Sequence, residues 1–161
     1  MNRGAGPGYD LHVLSDGAGE LEAGLATAGV TKCSPDDLER RRVLAGLPDA
    51  HADGFLGLLP QECGLEEAVS YRKGCYIGQE IMARLEARGN TRQHVVQVRA
   101  DGPLETGTEL KVGGRVVGRV GKPVLAEGIW TALAVVRKDI PDGAALDAGA
   151  TTARLSLLPS G

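Results

Sequence analysis

The sequence predicts an α+β fold, with helices in its first half and a small antiparallel β-barrel or sandwich in its second. Three observations point there. Gly is frequent, at 24 of 161 residues, while aromatics make up only 3%, so turns are many and the core draws on Leu, Val and Ala. A strong helix-start signal stands at Ser34. From Arg92 onward the pattern changes to short β-prone runs, QHVVQVRA, ELKV, GRVVGRV, PVL, IWTALAVVRK and TARLSLL, parted by Gly, Pro and Asp. The expected organisation is therefore residues 1–90 followed by a barrel over residues 91–161.

Taken in order, Tyr9, Leu11 and Val13 alternate with Asp10 and His12, the period-2 pattern of a half-buried strand. Asp16 and Gly17 then turn the chain. Leu21, Leu25 and Ala28 share one helical face, and Gly29 stands where a helix C-terminal glycine belongs. A second helix opens at Ser34, where a Ser cap, Pro35 in the first turn and Asp36 and Asp37 near the positive dipole end agree, and it closes near Gly46. Residues 47–60, with two prolines and two glycines and no sustained period, read as a loop crossing from one layer to another. A third helix opens near Gly78, carries Ile81, Met82 and Leu85 on one face and ends at Gly89-Asn90. Gly113-Gly114 reads as a hairpin turn.

Composition excludes several classes. Apolar residues at 42% and charged residues at 24% argue against disorder. Eighteen basic against 21 acidic residues give a net charge of −3, the wrong sign for a nucleic-acid partner, so the cluster Arg88, Arg92, His94 and Arg99 reads as a solvated face. The longest apolar stretch, Ile129 to Val136, is far below the roughly 20 residues of a bilayer span, and no signal peptide is visible. The odd, scattered cysteines Cys33, Cys63 and Cys75 suit a reducing cytoplasm better than a disulfide framework. Burial is expected for Cys33 and Cys63.

The obvious cofactor motifs fail on context. Gly4 to Tyr9 is Gly-rich, but it precedes a strand where a dinucleotide loop must follow one and open a helix. GRVVGRVGKP has Pro123 where a P-loop needs Ser or Thr, and Val116 where it needs Gly. No CxxC or HExxH supports zinc, and three cysteines fall short of a four-thiolate cluster, so neither bound metal nor a resident iron–sulfur cluster is expected.

The informative segment is Arg72 to Glu80. Two cations stand beside Cys75 and a helix begins just after it, a field that favours thiolate, so Cys75 is the best nucleophile or redox candidate. Gly74 and Gly78 bracket it and permit close ligand approach, while Gln79, Glu80 and Arg84 present polar groups from the helix start. A packing role for Cys75 and solvated roles for Lys73 and Arg84 are the competing readings.

KGCYIGQE resembles the signature of the YgfZ-type folate-binding proteins, relatives of the glycine-cleavage T-protein, an aminomethyltransferase. The flanks PQECGLEEAVSYR and IMARLEARGNTR look like the same neighbourhood, GYDLHVLSDGAGELEAGLATAG is similar to the strand and helix closing that family's folate-binding α/β region, SPDDLERRRVLAGLP to its next helix, and the rest to its C-terminal barrel. The first 90 residues would then be a remnant of the T-protein-like α/β folate-binding domain. The resemblance implies a protein that binds tetrahydrofolate, or a one-carbon-substituted form, and supports assembly or repair of iron–sulfur clusters in client enzymes. It implies Cys75 as functional thiol, Lys73 as its electrostatic partner or a ligand cation, and Tyr76, Gln79, Glu80, Arg84, Tyr9 and Asp10 on the folate side, with Arg84 at its anionic tail.

Two departures matter. Family members run to roughly twice this length, with an N-terminal half that supplies much of the folate pocket. The T-proteins carry an acid before the strand that matches Tyr9-Asp10, where this chain reads Gly6-Pro7-Gly8, and Asp where Cys75 stands. Three alternatives follow: an aminomethyltransferase moving a one-carbon unit to tetrahydrofolate, a noncatalytic module that dimerises or joins a partner chain supplying the missing half, and a truncated gene product.

Overall fold

The structure is a computed structural model that describes residues 8–65, 69, 70, 74–80, 83 and 91–158. Six strands form a closed antiparallel barrel: β1 (Gln93–Ala100), β2 (Glu109–Val112), β3 (Arg115–Ala126), β4 (Ile129–Arg137), β5 (Ala145–Asp147) and β6 (Thr152–Ser156). Around the barrel they run β1-β4-β3-β2-β5-β6. Val96 and Val98 of β1 alternate inward with Leu110, Val120, Leu146 and Leu155, all within 1% of full burial. Small residues such as Ala132, Ala134 and Ala153 fill the remaining space of a narrow barrel. The α+β expectation holds.

β4 is the strand on which the packing turns. Its run Thr131 to Val136 is buried without a break, as expected for a strand covered on both faces. Ala132, Ala134 and Val136 face the barrel interior, while Leu133 and Val135 point outward against Phe55, Cys63 and the half-buried Leu58 and Leu158. The loop after residue 46 thus crosses from helix to barrel and supplies the outer cover. Burying a Phe is worth roughly 1.5–3 kcal/mol, so Phe55, at 1% exposure, is its anchor.

Pairing in the barrel is uneven. β1 pairs β4 over eight residue pairs from Gln93↔Arg137 to Ala100↔Trp130, whereas β2 meets β5 at the single pair Lys111↔Asp147. GRVVGRV and PVL, expected as separate runs, form the one strand β3, which passes through a bulge between Val120 and Pro123 where Pro owes no ladder hydrogen bond. Gly118 of β3 is obligatory: a Cβ there would lie 2.3 Å from the Val135 carbonyl oxygen. Gly113 and Gly114, at φ 56° and 79°, make the expected turn between β2 and β3, with the double positive φ of a type I′ hairpin. Three-residue β5 was not foreseen, being too short to show a period.

Two helices whose bounds lie within the described residues precede the barrel, α1 (Ala18–Thr27) and α2 (Pro35–Leu44). Ser34 caps α2 as expected: its hydroxyl accepts from the Asp37 N–H at 3.1 Å while the Asp37 carboxylate accepts the Ser34 N–H, a complete capping box. Both helices end in full Schellman motifs. Val30 N–H reaches the Leu25 carbonyl and Gly29 N–H that of Ala26, and Leu47 and Gly46 repeat this on Arg42 and Val43. α2 docks through Val43, fully buried, and through Gln97 Nε2, which donates to the Val43 carbonyl at 3.1 Å.

Three expectations are corrected. Residues 9–14 are not a strand; they lead into a 3-10 turn at Ser15–Gly17, and Tyr9, Leu11, Val13 and Leu14 are exposed. A period-2 run becomes a strand only beside a sheet edge, and the closed barrel offers none. α1 forms where expected, yet it buries none of its residues, Leu21 and Leu25 being half-buried. Cys33, expected inside, is exposed in the connector before α2, whereas Cys63 is buried.

Candidate functional site

Of the segment singled out by its chemistry, the structure describes residues 74–80. Cys75 is a free, exposed thiol, with exposed Gly74 before it and half-buried Tyr76 after it. Gly78 takes φ 89°, a left-handed conformation that favours glycine, and Gln79 N–H donates to the Tyr76 carbonyl at 3.2 Å to close the turn. Residues 79, 80 and 83 are helical, so a helix does open just past Gly78. Ile77, at the tip, is fully exposed.

The structure therefore brings Cys75, Tyr76, Gln79 and Glu80 together on one short loop and helix start. Lys73 and Arg84 lie outside the described residues, as do Arg72, Arg88 and the apolar face Ile81, Met82 and Leu85. Tyr9 and Asp10 stand on the separate exposed segment ahead of α1, Tyr9 at 96% exposure. Among the described residues no group of three or more His, Cys, Asp or Glu side chains is placed to hold a metal ion, and no helix is long and apolar enough to cross a membrane.

A second polar cluster escaped the sequence reading. Arg42 on α2 spans to Asp53 in the covering loop, Nη1 2.7 Å from Oδ2 and Nη2 3.1 Å from Oδ1, while its Nε donates to Glu39 at 3.1 Å and its Nη1 also to the Leu47 carbonyl at 2.6 Å. Asp53, 2% exposed, also accepts the N–H groups of Asp49 and of Lys122 on β3. One carboxylate thus ties helix, loop and barrel. Gly121 makes room for it, since a Cβ there would lie 2.9 Å from the Asp53 Cβ. Hydrogen bonding from Arg42 holds the Glu39 carboxyl below its usual range, against burial acting the other way and with help from Lys122, whose Nζ is 3.8 Å off. Burial disfavours the Arg42 cation, but the hydrogen bonds to Glu39 and Asp53 outweigh it and raise its pKa. The available signal was local: Asp49 Oδ1 accepts from His51 and Ala52 N–H, an Asx turn written in the Asp-rich loop sequence. Nothing in that loop named Arg42 as the partner. The cluster is fully paired within the fold, so its role is to hold the scaffold.

Comparison with known proteins follows the same lines. No family model matches the chain. The iron–sulfur cluster assembly factor IBA57 homolog of Neosartorya fischeri is 32% identical over 109 residues, 63% of this chain and 24% of that protein. Human iron–sulfur cluster assembly factor IBA57 is 38% identical over 92 residues, 52% of this chain and 26% of that one. An uncharacterised protein of Haemophilus influenzae is 32% identical over 107 residues, 61% of this chain and 38% of its own. The chain thus spans between a quarter and two-fifths of these relatives. Among solved structures, the glycine cleavage system aminomethyltransferase T of Bartonella henselae superimposes with a TM-score of 0.72 over 89% of this chain and 44% of that one, at 16% identity, a likeness of fold. With relatives of this kind on one side and this architecture on the other, the chain is a relative of the IBA57-type proteins built on a T-protein fold, the kinship to which KGCYIGQE pointed.

Proposed function

We propose that this chain supports the assembly or repair of iron–sulfur clusters in client enzymes, with Cys75 as its functional thiol and a reduced folate as its ligand. The observation that carries the reading is the setting of Cys75: a free, exposed thiol on a loop bracketed by Gly74 and Gly78, at the opening of a helix. A thiol placed so can reach a client or its metal, which a packed cysteine cannot. Two exposed free cysteines, Cys33 and Cys75, also favour a reducing compartment such as the cytoplasm.

For tetrahydrofolate, Tyr76, Gln79 and Glu80 supply one wall, with Lys73, Arg84, Tyr9 and Asp10 as further candidates. The fit is that of one wall, since Tyr9 and Asp10 are exposed on a segment packed on no sheet. In this reading residues 1–90 face the folate and residues 91–161 form the supporting barrel. The test is complementation. In cells lacking the protein, Cys75→Ala and Lys73→Ala variants restore little client-enzyme activity if the reading is right; full restoration by both would count decisively against it. Calorimetric titration of tetrahydrofolate into the purified chain checks the ligand separately.

A second reading has its own observation. Tyr9, Leu11, Val13 and Leu14 are exposed beside α1, which buries nothing. Since the chain matches 44% of the T-protein neighbour, we infer that further T-protein-like polypeptide covers this face and completes the folate pocket. Light scattering on the 161-residue chain reports a dimer or larger complex if a second copy provides that cover. A compact monomer that binds tetrahydrofolate alone removes the need for it.

A further inference from the structure

We propose that the cleft lined by the start of β1 and the end of β4 is a binding site for the phosphate monoester of a small apolar molecule. The cleft holds about 640 Å³ and is lined by Thr91, Arg92 and Gln93 from the start of β1 and by Arg137, Lys138 and Asp139 from the paired end of β4. In a chain of net charge −3 it gathers three cations against one carboxylate.

The cations are held in place by the backbone. Gln93 pairs with Arg137 in the β1–β4 ladder, and Lys138 N–H donates to the Arg92 carbonyl at 3.1 Å. Asp139 fixes the plane of the Arg137 guanidinium through two 2.9 Å hydrogen bonds, from Nε and Nη2, which leaves Nη1 open among the described residues. A guanidinium pinned on one edge and open on the other is preorganised for an oxyanion.

Two polar atoms at this place lack the partner that buried polar atoms normally have. Thr91 Oγ1 and His94 Nε2 are buried and make no hydrogen bond among the described residues, and Thr91 lines the cleft. An oxygen of a bound anion would accept from the Thr91 hydroxyl. Burial first, and then the charge of Lys138, hold the His94 pKa below its ordinary value, so the ring lies within reach of the Lys138 charge.

Hydroxyl, guanidinium and ammonium donors come from both strand ends, a number that matches the three terminal oxygens of a phosphate better than the two of a carboxylate. The net charge of the cleft, three cations less one carboxylate, matches a phosphate dianion. Gln93 and Arg137 also line an adjoining cleft of about 420 Å³ in which Leu58, Val116, Val117 and Val135 stand beside Glu109 and Arg119. The ester's apolar body would lie along it.

The test uses the whole chain, with phenyl phosphate as probe, read by amide and His94 ring resonances at constant ionic strength. Saturable binding is expected to shift the amides of residues 91–94 and 137–139 and to move the His94 titration upward. Phenyl phosphate is expected to bind several-fold tighter than inorganic phosphate or benzoate, each titrated in parallel. Arg137→Gln should weaken binding roughly tenfold or more, the worth of a hydrogen bond to a charged group. Lys138→Gln, which leaves the Arg137–Asp139 pair intact, should weaken it less and must leave thermal stability unchanged. The proposal is overturned if chloride at equal ionic strength reproduces the shifts, if benzoate or inorganic phosphate binds as tightly, or if neither substitution alters the affinity.

Discussion

Arg42 and Asp53 meet as two parallel hydrogen bonds, 2.7 and 3.1 Å, with the Asp53 side chain fully out of solvent and the Arg42 side chain 13% exposed. The pair joins α2 to the loop that roofs the outer face of β4. Removing Asp53 takes from the buried Arg42 its bidentate partner and from Asp49 and Lys122 their acceptor, leaving Glu39 as the remaining counter-charge, at a cost of about 3 kcal/mol, the low end for a broken buried pair. Asp53→Ala is therefore expected to lower the urea-derived stability by that amount, whereas Asp37→Ala, at the exposed start of α2 where Ser34 still caps the helix, should cost much less. Equal effects from the two would show that the bridge carries no special weight.

Acid should reach this bridge through Glu39. Its folded pKa lies below the 4.5 of an unperturbed Glu, so the native state holds the proton less readily than the unfolded chain. The stabilisation is present above pH 4.5 and is lost as pH falls through the depressed folded value. Denaturation midpoints measured from neutral pH down to about pH 3 should fall more steeply for the parent chain than for Glu39→Gln. Parallel curves would contradict the assignment.

The turn between β3 and β4 holds a residue unsuited to it. Glu127 has φ 51° and Gly128 φ 80°, both positive, and a non-glycine residue in the left-handed region costs roughly 1 kcal/mol. Glu127→Gly or Glu127→Asn should raise the melting temperature by about 2–4 °C in a chain of this size. A lower melting temperature in both would mean that the Glu127 side chain contributes a contact that outweighs the strain.

Thiol reactivity should separate the three cysteines. Cys33 and Cys75 are exposed and Cys63 is buried against the outer face of β4. An aromatic disulfide reagent should modify the first two in the native protein and Cys63 only after denaturant is added. Rapid native modification of all three would mean that the covering loop opens readily.

What could be read in the sequence was what is decided by neighbours. The cap at Ser34 needs only Asp37 three residues on, and the closing glycines Gly29 and Gly46 need only the preceding turn. The β runs likewise show their own period, and β1 and β2 came out with their observed ends. Tyr9 to Leu14 carry a strand's alternation yet form none, because the hydrogen bonds of a strand come from elsewhere in the fold. Asp53 was invisible for the same reason: its partners are Arg42 on a helix and the N–H of Lys122 on a distant strand. At the candidate site, Cys75 was legible from its glycines and cations, while its exposure became visible only in three dimensions.

The single pair Lys111↔Asp147 sets how the barrel can come apart. A ring parts where its circumference is thinnest, and the joint between β2 and three-residue β5 carries one bridge where β1 and β4 share eight. Opening there would unroll the ring into a curved sheet with β2 at one margin and β5 at the other, each newly able to accept a strand from another molecule. The strands farthest from that joint, β4 with β1, would stay zipped, so fraying of this barrel is expected to start as a hinge motion of its β5–β6 flap.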